Sequence, residues 1–547
     1  MKKRLPIGTD DFRKIREEGR YYVDKTMMVK DFIESHVDVS LITRPRRFGK
    51  TLNMTMIREF FDITVDSKDI FNGLAIMDTE YGDLINSRPV IYFSFKDCKG
   101  SSEEALRYSI GNVIFKEYDK YFRILKGNVN ESESYFFKYF KLYEKLHSNE
   151  ANMNELQTSI SLLERVLYDY YKIKAIVLID EYDQPIINSF EHGCHEQLRE
   201  FFSGFYGMAL KGEDCLYQAI LTGIQRVVKE SIFSQFNNVR VYTVIDERYS
   251  GYFGLNEAET EELLAYYGLA LDEPVKKKYD GYIFYKTEMY NPWSILNYAD
   301  TRQLENYWIN TSTNYMVKKS INEAGEYFKK IFDKLIADGI AKVSADLECS
   351  FMELKHNDTL WGLLINAGYV TVMERVSKIL MNVRIPNGEV MSEFLKIIAD
   401  RANVQSHDLH LMFQCLFDKD MDGFLNIYRE LVISCTSYFD AKENAYHMLF
   451  LGMCISLNNL YKITSNIESG YGRSDIRMES FSKERPHIII EFKQGEELST
   501  LKEEALKQIL EKKYYEGLYG EVLCIGISHN NKKCELSHKI LTTGGAT

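Results

Sequence analysis

A Gly-Lys-Thr triplet at residues 49–51 carries the first recognisable chemistry of this chain. An apolar run that ends at Ile42 precedes it, and the helix-like segment LNMTMIREFF follows it. Strand, loop, Gly-Lys-Thr and helix form the layout of a phosphate-binding loop. Backbone N–H groups at the helix start point at an anion, Lys50 reaches the β- and γ-phosphates, and the Thr51 hydroxyl can ligate Mg²⁺. Because Arg44 stands where the full pattern requires glycine, the motif is degenerate and needs support from elsewhere.

Two adjacent acids, Asp180 and Glu181, end the apolar run at residues 175–179. In ATPases of this layout the strand-end Asp holds Mg²⁺ through water, and the next Glu polarises the attacking water as general base. A buried strand that ends in a solvated acidic turn would give the same letters. Combined with the upstream Gly-Lys-Thr, the metal and base interpretation is favoured.

A third segment, LTGIQRVVKESIF, supplies Thr222 and Arg226. The strand predicted before it delivers Thr222 to the same sheet edge, where a hydroxyl can sense the γ-phosphate or orient water. Arg226 follows within a turn and could neutralise charge that develops in phosphoryl transfer. From spacing alone, a surface salt bridge explains Arg226 equally well.

The C-terminal segment contains a second constellation, with Asp475, Glu491 and Lys493. Glu491 and Lys493 are two residues apart after an apolar run, so both side chains leave the same face of a strand. Carboxylate oxygens suit Mg²⁺, and a metal with a nearby lysine stabilises an attacked phosphodiester. Glu468, at the end of the preceding predicted strand, is a further candidate ligand. A Glu-x-Lys sequence is common, and the competing interpretation is a solvated strand edge.

Apolar strand-like runs alternate with helix-like runs in the first half, which predicts a parallel α/β sheet with helices on both faces. The middle is helical from 256 to 345, and residues 346–435 mix short strands with helices, compatible with a winged-helix arrangement. Residues 436–547 have the order α-β-β-β-α-β. The five strands predicted for the first half lie at residues 38–43, 89–95, 173–180, 216–223 and 239–245.

The composition restricts the function classes. A net charge of −12 argues against indiscriminate nucleic-acid binding over the whole surface, but it leaves a local basic channel open. No apolar run approaches the roughly 18 residues of a membrane span, and the N-terminus lacks the apolar segment of a secretory signal. The nine cysteines include no Cys-x-x-Cys pair, so neither a structural zinc site nor a disulfide framework is expected. We therefore expect a reduced, cytoplasmic protein with no membrane partner.

Taken together, these motifs resemble the AAA-ATPase-like proteins, common in bacteria, that carry a C-terminal PD-(D/E)XK nuclease-like domain. The family itself uses the Arg-Pro-Arg-Arg-Phe-Gly-Lys-Thr form, so Arg44 is a family trait. Gln508 and Tyr514 also match family positions. The other marks of the resemblance are Pro6-Ile7-Gly8 with Asp11-Phe12, Tyr22-Val23-Asp24-Lys25-Thr26, Asp180-Glu181-Tyr182-Asp183, Thr222-Gly223 with Arg226 and Ser231, Tyr279-Asp280-Gly281-Tyr282, and Tyr290-Asn291-Pro292-Trp293-Ser294.

The resemblance implies four regions. These are an AAA/ASCE-like P-loop domain at 1–255, a helical lid at 256–345, the mixed connecting region at 346–435, and a restriction-endonuclease-like domain at 436–547. It also implies ATP and Mg²⁺ as cofactors and DNA as the partner of the last domain. ATPases of this class often form rings, so the resemblance is also compatible with a homo-oligomer. The residues expected to contact the nucleotide are Arg46, Arg47, Phe48, Gly49, Lys50, Thr51, Leu52, Asp180 and Thr222, and Arg44 joins Arg46 and Arg47 as a candidate phosphate contact.

Two functions of different class fit these expectations. In the first, an ATPase uses Lys50, Glu181 and Arg226, and its nucleotide state controls a Mg²⁺-dependent nuclease that uses Asp475, Glu491 and Lys493. In the second, the chain is a nucleotide-dependent switch that holds ATP with slow turnover, and its C-terminal domain grips nucleic acid or protein without cutting.

Overall fold

The computed structural model describes residues 2–211, 214–225, 238–308, 315–347, 356–401, 406–434, 443–457, 460–469, 472–530 and 533–544. The chain divides into two compact units. The first comprises Met1–Lys329 with Ile340–Glu389, and the second comprises Lys330–Gly339 with Val390–Thr547. Within the ranges described, no helix is long and apolar enough to cross a membrane.

A five-stranded parallel sheet forms the centre of the first unit, in the order β2-β3-β4-β1-β5. The parallel α/β sheet predicted from the sequence is confirmed. Half of the strand ends coincide with the predicted limits, and the others lie one to three residues inside them. The strands are β1 (Val39–Thr43), β2 (Val90–Ser94), β3 (Ala175–Asp180), β4 (Leu216–Gly223) and β5 (Val239–Tyr242).

Burial explains why the strand sequences are nearly continuous apolar runs. Every residue of β1 and β3 is buried. Alternate residues such as Leu41, Val177 and Leu221 belong to one apolar cluster, and the residues between them, such as Ile42 and Leu178, are also fully buried. A parallel sheet whose strands are buried on both faces has this composition.

Helices follow the strands of this sheet and continue through the middle of the chain. Two short 3₁₀ helices, Ala75–Asp78 and Glu80–Leu84, precede β2. The helices of the sheet region are α1 (Phe12–Glu17), α2 (Met28–Glu34), α3 (Lys50–Phe61), α4 (Lys68–Phe71), α5 (Glu103–Leu125), α6 (Ser134–His147), α7 (Met153–Gln157), α8 (Ser159–Tyr171), α9 (Gln184–Glu191) and α10 (His195–Leu210).

The middle of the chain is mainly helical, as predicted. A hairpin of β6 (Tyr282–Phe284) and β7 (Thr287–Met289) interrupts its helices. Lys25 holds the first helix of this region, Glu257–Tyr266, in place. Its Nζ donates to both carboxylate oxygens of Glu259, at 2.5 and 2.7 Å, and to the Gly251 carbonyl at 2.9 Å. The helices are α11 (Glu257–Tyr266), α12 (Glu273–Tyr279), α13 (Pro292–Thr301), α14 (Tyr315–Glu323), α15 (Glu326–Asp338), α16 (Asn357–Asn366) and α17 (Gly388–Arg401).

A small antiparallel sheet completes the first unit. Its strands β8 (Ile340–Ser344), β9 (Thr371–Arg375) and β10 (Leu380–Arg384) have the order β8-β10-β9. Because β8 pairs with β10, one sheet extends across the boundary that we predicted at residue 345. The prediction of short strands mixed with helices in this region therefore applies from residue 340 onward.

The second unit contains a five-stranded mixed sheet in the order β11-β12-β13-β14-β15. Only the β13–β14 pair is parallel, and the helix between these two strands makes that connection possible. The elements are α18 (Ser406–Phe417), α19 (Met421–Ser434), α20 (Glu443–Met453), a 3₁₀ helix (Cys454–Leu457), β11 (Tyr461–Ser469), β12 (Gly472–Ser480), β13 (His487–Gln494), α21 (Leu498–Glu511), β14 (Gly520–Asn530) and β15 (Lys533–Thr543).

Strand β15 is an addition to the predicted order α-β-β-β-α-β. Its sequence, KCELSHKILTT, has no apolar run, and most of its residues are exposed or half-buried. It is an edge strand that pairs only with β14, so its backbone hydrogen bonds define it and its side chains give little signal.

Candidate nucleotide-binding and nuclease sites

Three residues predicted from separate motifs meet at one edge of the parallel sheet. The Thr51 hydroxyl donates to Asp180 Oδ2 over 2.6 Å, and the Thr222 hydroxyl donates to Asp180 Oδ1 over 2.6 Å. Thr222 is the register partner of Asp180 on one side and of Ile42 on the other, which brings the ends of β1, β3 and β4 together. Parallel strands place their carboxyl ends on the same edge, and this is where ligands bind in open α/β sheets.

The loop between β1 and α3 has the backbone that a phosphate-binding loop requires. Gly49 has φ 84° and immediately precedes α3, and Arg47 has φ 66°, a left-handed conformation that is uncommon for residues other than glycine. No side chain caps the start of α3. The first backbone amides of this helix are therefore available to donate hydrogen bonds to an anion.

Lys50 lies inside this loop. Its side chain is buried, and Nζ donates to the carbonyls of Arg44 at 3.1 Å and Pro45 at 3.0 Å. Burial lowers the pKa of Lys50, whereas the nearby carboxylates, with Glu181 foremost, act in the opposite direction. The ammonium is thus held at the loop among acidic groups, where an anionic ligand would compete with the two carbonyls for it.

Asp180 is fully buried, and burial followed by the charge of Glu181 raises its pKa to about 6. The two threonine hydroxyl bonds and Lys50 oppose this rise. A divalent cation would stabilise the ionised carboxylate, because the charge of a bound ion reverses the local effect of burial. The buried Asp180 and the Thr51 hydroxyl therefore fit a Mg²⁺ ion held at this edge.

Glu181 occupies a strained position at the end of β3. Its φ of 52° lies in the left-handed region, and the residue lines the same cavity as Lys50 and Thr51. Strain of this kind persists only where the surrounding structure over-determines it, and it concentrates at functional sites. The conformation turns the chain from the strand into α9 and leaves the carboxylate beside the cavity.

A cavity of about 1000 Å³ opens in front of this edge. It also contains residues that the sequence motifs did not identify as ligands, among them Pro6, Lys96 and Trp293. The Arg47 guanidinium lies 4.4 Å from the centre of the Trp293 ring, a cation–π distance. The predicted residues that line the cavity are Arg46, Arg47, Gly49, Lys50, Thr51, Leu52 and Glu181.

Arg44 does not face the cavity, so our expectation that all three arginines contact phosphate does not hold for it. Its side chain is fully buried, and Nη1 donates to the carbonyls of Thr43 at 2.8 Å and Tyr242 at 3.1 Å. The rings of Phe253 and Phe284 lie 5.3 and 5.4 Å from its guanidinium carbon. Burial lowers the pKa of Arg44 to about 9. Arg44 is a packing residue beneath the loop.

Phe48 and Arg226 differ from the other predicted nucleotide contacts. The Phe48 ring is fully buried against Tyr282 and Phe284, and its carbonyl accepts from the Gly254 amide. Phe48 could therefore contact a nucleotide only through its backbone amide, which could donate a hydrogen bond. Arg226 and Ser231 lie outside the described residues.

Tyr182 and Asp183 fix the chain end that carries Thr222, a role that their spacing did not reveal. Asp183 Oδ2 accepts the amides of Ile224 at 2.8 Å and Gln225 at 3.0 Å, and the Tyr182 hydroxyl donates to the Gln225 carbonyl at 2.6 Å. A side chain at Gly223 would meet both residues at 2.8 Å. The signal available in the sequence was a third acid two residues after the acidic pair.

The second unit brings Asp475 and Glu491 together on neighbouring strands. The Asp475 amide donates to Glu491 Oε2 at 3.3 Å, and Asp475 Oδ2 accepts the Phe492 amide at 2.8 Å. Lys493 Nζ lies 3.9 Å from Glu491 Oε1, as predicted for two side chains on one strand face. Burial raises the pKa of Asp475, and the Phe492 amide and Lys493 oppose the rise. Two carboxylates and a lysine at one point supply hard oxygen ligands and a cation.

Gln508 and Tyr514 also lie at this point. Gln508 Nε2 donates to Glu491 Oε1 and, at 3.1 Å, to the Tyr514 hydroxyl. Glu468 belongs to β11, but its side chain is outside the part of the chain that is described. Among the described residues, no group of three or more His, Cys, Asp or Glu side chains could hold a metal ion. The described site thus contains two carboxylates, those of Asp475 and Glu491.

Family models match the two regions of the chain that contain these candidate sites. Residues 6–233 match the family model described as a predicted AAA-ATPase, and residues 441–539 match the model of the PD-(D/E)XK nuclease superfamily. A protein of Azotobacter chroococcum mcd 1, described as an uncharacterized protein in the vnfD 5′ region, is 27% identical over 441 residues. The match covers 78% of this chain and 77% of that protein.

The first match contains strands β1 to β4 of the parallel sheet with the Lys50, Asp180 and Thr222 positions, and the second contains Asp475, Glu491 and Lys493. The chain thus carries an AAA-ATPase-like domain and a C-terminal domain of the PD-(D/E)XK nuclease superfamily.

Proposed function

We propose that the first domain binds and hydrolyses ATP, and that its nucleotide state controls DNA cleavage by the C-terminal domain. The observation that carries the first half is the pair of hydrogen bonds that joins Thr51 and Thr222 to one buried carboxylate, Asp180. An arrangement of loop lysine, helix-start threonine and strand-end acid serves to hold a nucleotide triphosphate and its metal ion.

Each residue has a chemical task in this proposal. The first amides of α3 and the Lys50 ammonium bind phosphate oxygens, with Lys50 exchanging its two loop carbonyls for them. Thr51 and Asp180 would hold Mg²⁺, which neutralises phosphate charge when bound. Glu181 takes the proton of the attacking water as general base. Arg46 and Arg47 line the cavity and supply guanidinium groups suited to phosphate oxygens.

The C-terminal domain would cleave DNA phosphodiesters. Asp475 and Glu491 would hold a divalent metal, which supplies Lewis-acid chemistry at the phosphate when bound. Lys493 Nζ lies 3.9 Å from Glu491 Oε1. It would stabilise the charge that develops on the phosphate oxygens. Glu468 remains a proposed further ligand, and Arg226 remains a proposed cation of the ATP site.

A hydrolysis assay tests the ATPase half. Wild-type protein should release phosphate from ATP in the presence of Mg²⁺, and Lys50→Ala should abolish both this release and binding of a fluorescent ATP analogue. Lys99→Ala is the matched control, because Lys99 lines the same cavity and is exposed. Tight ATP binding with negligible turnover in the wild-type protein would instead favour the nucleotide-dependent switch.

A cleavage assay tests the nuclease half and the control by nucleotide. Single-stranded, duplex and branched DNA, and RNA as a comparison, are incubated with Mg²⁺ or Mn²⁺ and with ATP, ADP or no nucleotide. Asp475→Asn and Glu491→Gln should remove cleavage, whereas Glu503→Gln, an exposed acid on α21, should not.

Lys50→Ala should remove the effect of ATP on cleavage. Absence of metal-dependent cleavage on every substrate contradicts the nuclease, and cleavage that ignores nucleotide contradicts the coupling.

A further inference from the structure

Arg477 on β12 binds the chain segment that follows α21. Its Nη1 donates to the carbonyl of Tyr514 at 2.9 Å and to the carbonyl of Glu516 at 3.1 Å. Its Nε lies 3.2 Å from Glu479 Oε1, and its side chain is only 12% exposed. One guanidinium thus holds two nearby backbone carbonyls, a task suited to the fixed fork of arginine donors.

The segment that Arg477 holds presents Tyr514 to the candidate nuclease site. The Tyr514 ring is 2% exposed. On one side it approaches Gly472 so closely that a Cβ there would lie 3.1 Å from ring carbon and hydroxyl. The Tyr514 ring therefore packs against the backbone of β12, while Arg477 binds the main-chain carbonyl of Tyr514. Bound at both ends in this way, Tyr514 has little freedom to move its hydroxyl.

The Tyr514 hydroxyl in turn orients Gln508. The amide Nε2 of Gln508 donates to this hydroxyl and to Glu491 Oε1. The other Glu491 oxygen, Oε2, accepts the Asp475 amide. Both oxygens of the candidate metal ligand Glu491 therefore receive hydrogen bonds, and the contacts from Arg477 to Glu491 form one continuous series.

We propose that Arg477 is a positioning residue of the C-terminal site, which holds the Glu491 carboxylate in its metal-binding orientation through Tyr514 and Gln508. This inference rests on the proposed nuclease function. Groups that orient metal ligands through hydrogen bonds commonly change metal affinity by about 10- to 100-fold when they are lost. Arg477 touches neither metal nor substrate in this proposal.

A purely structural role for Arg477 makes a different prediction. If its ion pair with Glu479 were all that mattered, Glu479→Gln would reproduce the loss of Arg477, and the metal site would be unaffected. Under our proposal, Glu479→Gln leaves both carbonyl bonds and the metal affinity intact. Arg477→Lys keeps the charge but replaces Nη1, which reaches both carbonyls from a planar guanidinium, with an ammonium on a shorter and rotatable stem, so its effect falls between those of wild type and Arg477→Met.

The test measures Mn²⁺ binding to the full-length chain by titration calorimetry. Asp475→Asn identifies the part of the uptake that belongs to the C-terminal site. For that part we expect Arg477→Met to weaken Mn²⁺ affinity by about tenfold or more and Arg477→Lys to weaken it by a smaller factor. Cleavage should show a raised Mn²⁺ requirement, with a smaller change in rate at saturating metal.

Unchanged Mn²⁺ affinity in a folded Arg477→Met protein overturns the proposal. If that variant fails to fold, Arg477→Lys decides the matter, and wild-type affinity in it overturns the proposal equally. A loss in Glu479→Gln as large as that in Arg477→Met also overturns it. Wild-type protein without Asp475-dependent Mn²⁺ binding would contradict both the nuclease and this inference, whereas wild-type binding that Arg477 variants leave unchanged contradicts the inference alone.

Discussion

The hydroxyl of Thr51 donates a 2.6 Å hydrogen bond to Asp180, a residue 129 positions further along the chain. The first turn of α3 is thereby joined to the end of β3 at the point where the sheet edge borders the cavity. Because the other oxygen of Asp180 accepts the Thr222 hydroxyl, one buried carboxylate organises three separate motifs. The predictions for this site depend on that arrangement.

Removal of the Thr51 hydroxyl should impair use of the metal and spare binding of the nucleotide itself. We expect Thr51→Ala to raise the Mg²⁺ concentration needed for half-maximal ATP hydrolysis by about tenfold, since one ligand and one partner of Asp180 are lost. Thr51→Ser keeps the hydroxyl and should behave like wild type. Nucleotide affinity in EDTA should be similar in all three proteins. A serine variant as defective as the alanine variant would contradict the role of the hydroxyl.

Glu181→Gln should separate ATP binding from ATP hydrolysis. The amide cannot accept the proton of the attacking water, so hydrolysis should fall by about a hundredfold or more. ATP affinity should be maintained, because the loop and Lys50 are unchanged. Glu191→Gln is the matched control, an acid that lines the same cavity. Phosphate release and fluorescent-nucleotide binding measure the two properties, and equal hydrolysis by Glu181→Gln and Glu191→Gln would exclude Glu181 as the base.

Substitution of Arg44 should affect mainly the stability of the fold, whereas substitution of Arg47 should affect mainly ATP binding. Arg44→Ala leaves a cavity and removes the donor of two buried carbonyls. We therefore expect it to lower the free energy of unfolding by about 2–4 kcal/mol. Arg47 is exposed and lines the nucleotide cavity. Arg47→Ala should change stability by less than about 0.5 kcal/mol but weaken ATP binding by roughly tenfold. Urea denaturation and nucleotide titration of both variants check this, and the reverse pattern would refute the assignment.

Glu389 should make the stability of the first unit depend on pH. It is fully buried, its oxygens accept from the Ser294 hydroxyl and the Trp308 amide, and burial raises its pKa from 4.5 to about 7. A raised folded-state pKa means that the contribution to stability is complete below pH 4.5 and is lost as the pH rises through about 7. The loss amounts to about 3 kcal/mol.

A melting-temperature series from pH 5 to 8 measures this effect. The advantage of wild type over Glu389→Gln should shrink as the pH rises, because only wild type must ionise the buried carboxyl. Glu261→Gln, an exposed acid on α11, should differ from wild type by the same amount at every pH. A constant difference for Glu389→Gln would contradict the prediction.

The parallel sheet and the meeting of Thr51, Asp180 and Thr222 could be predicted because they follow from local signals. Runs such as AIVLI reveal strands buried on both faces, and parallel strands place their ends on one edge. The shared face of Glu491 and Lys493 was predictable for a similar reason, since the two-residue period of a strand fixes which side chains lie on one face. Strand β15 was not, because an edge strand with exposed side chains carries no apolar pattern.

The sequence by itself determined which chemical groups this protein possesses and the order of the elements that carry them. Only the tertiary structure decided which groups face a ligand: Arg44 packs beneath its loop, its neighbour Arg47 lies on Trp293 in the cavity, and Asp183 secures the end of β4. It also joined Arg477 to Glu491 through Tyr514 and Gln508. Side-chain direction and such contacts depend on packing between segments distant in sequence, and local periodicity contains no record of that packing.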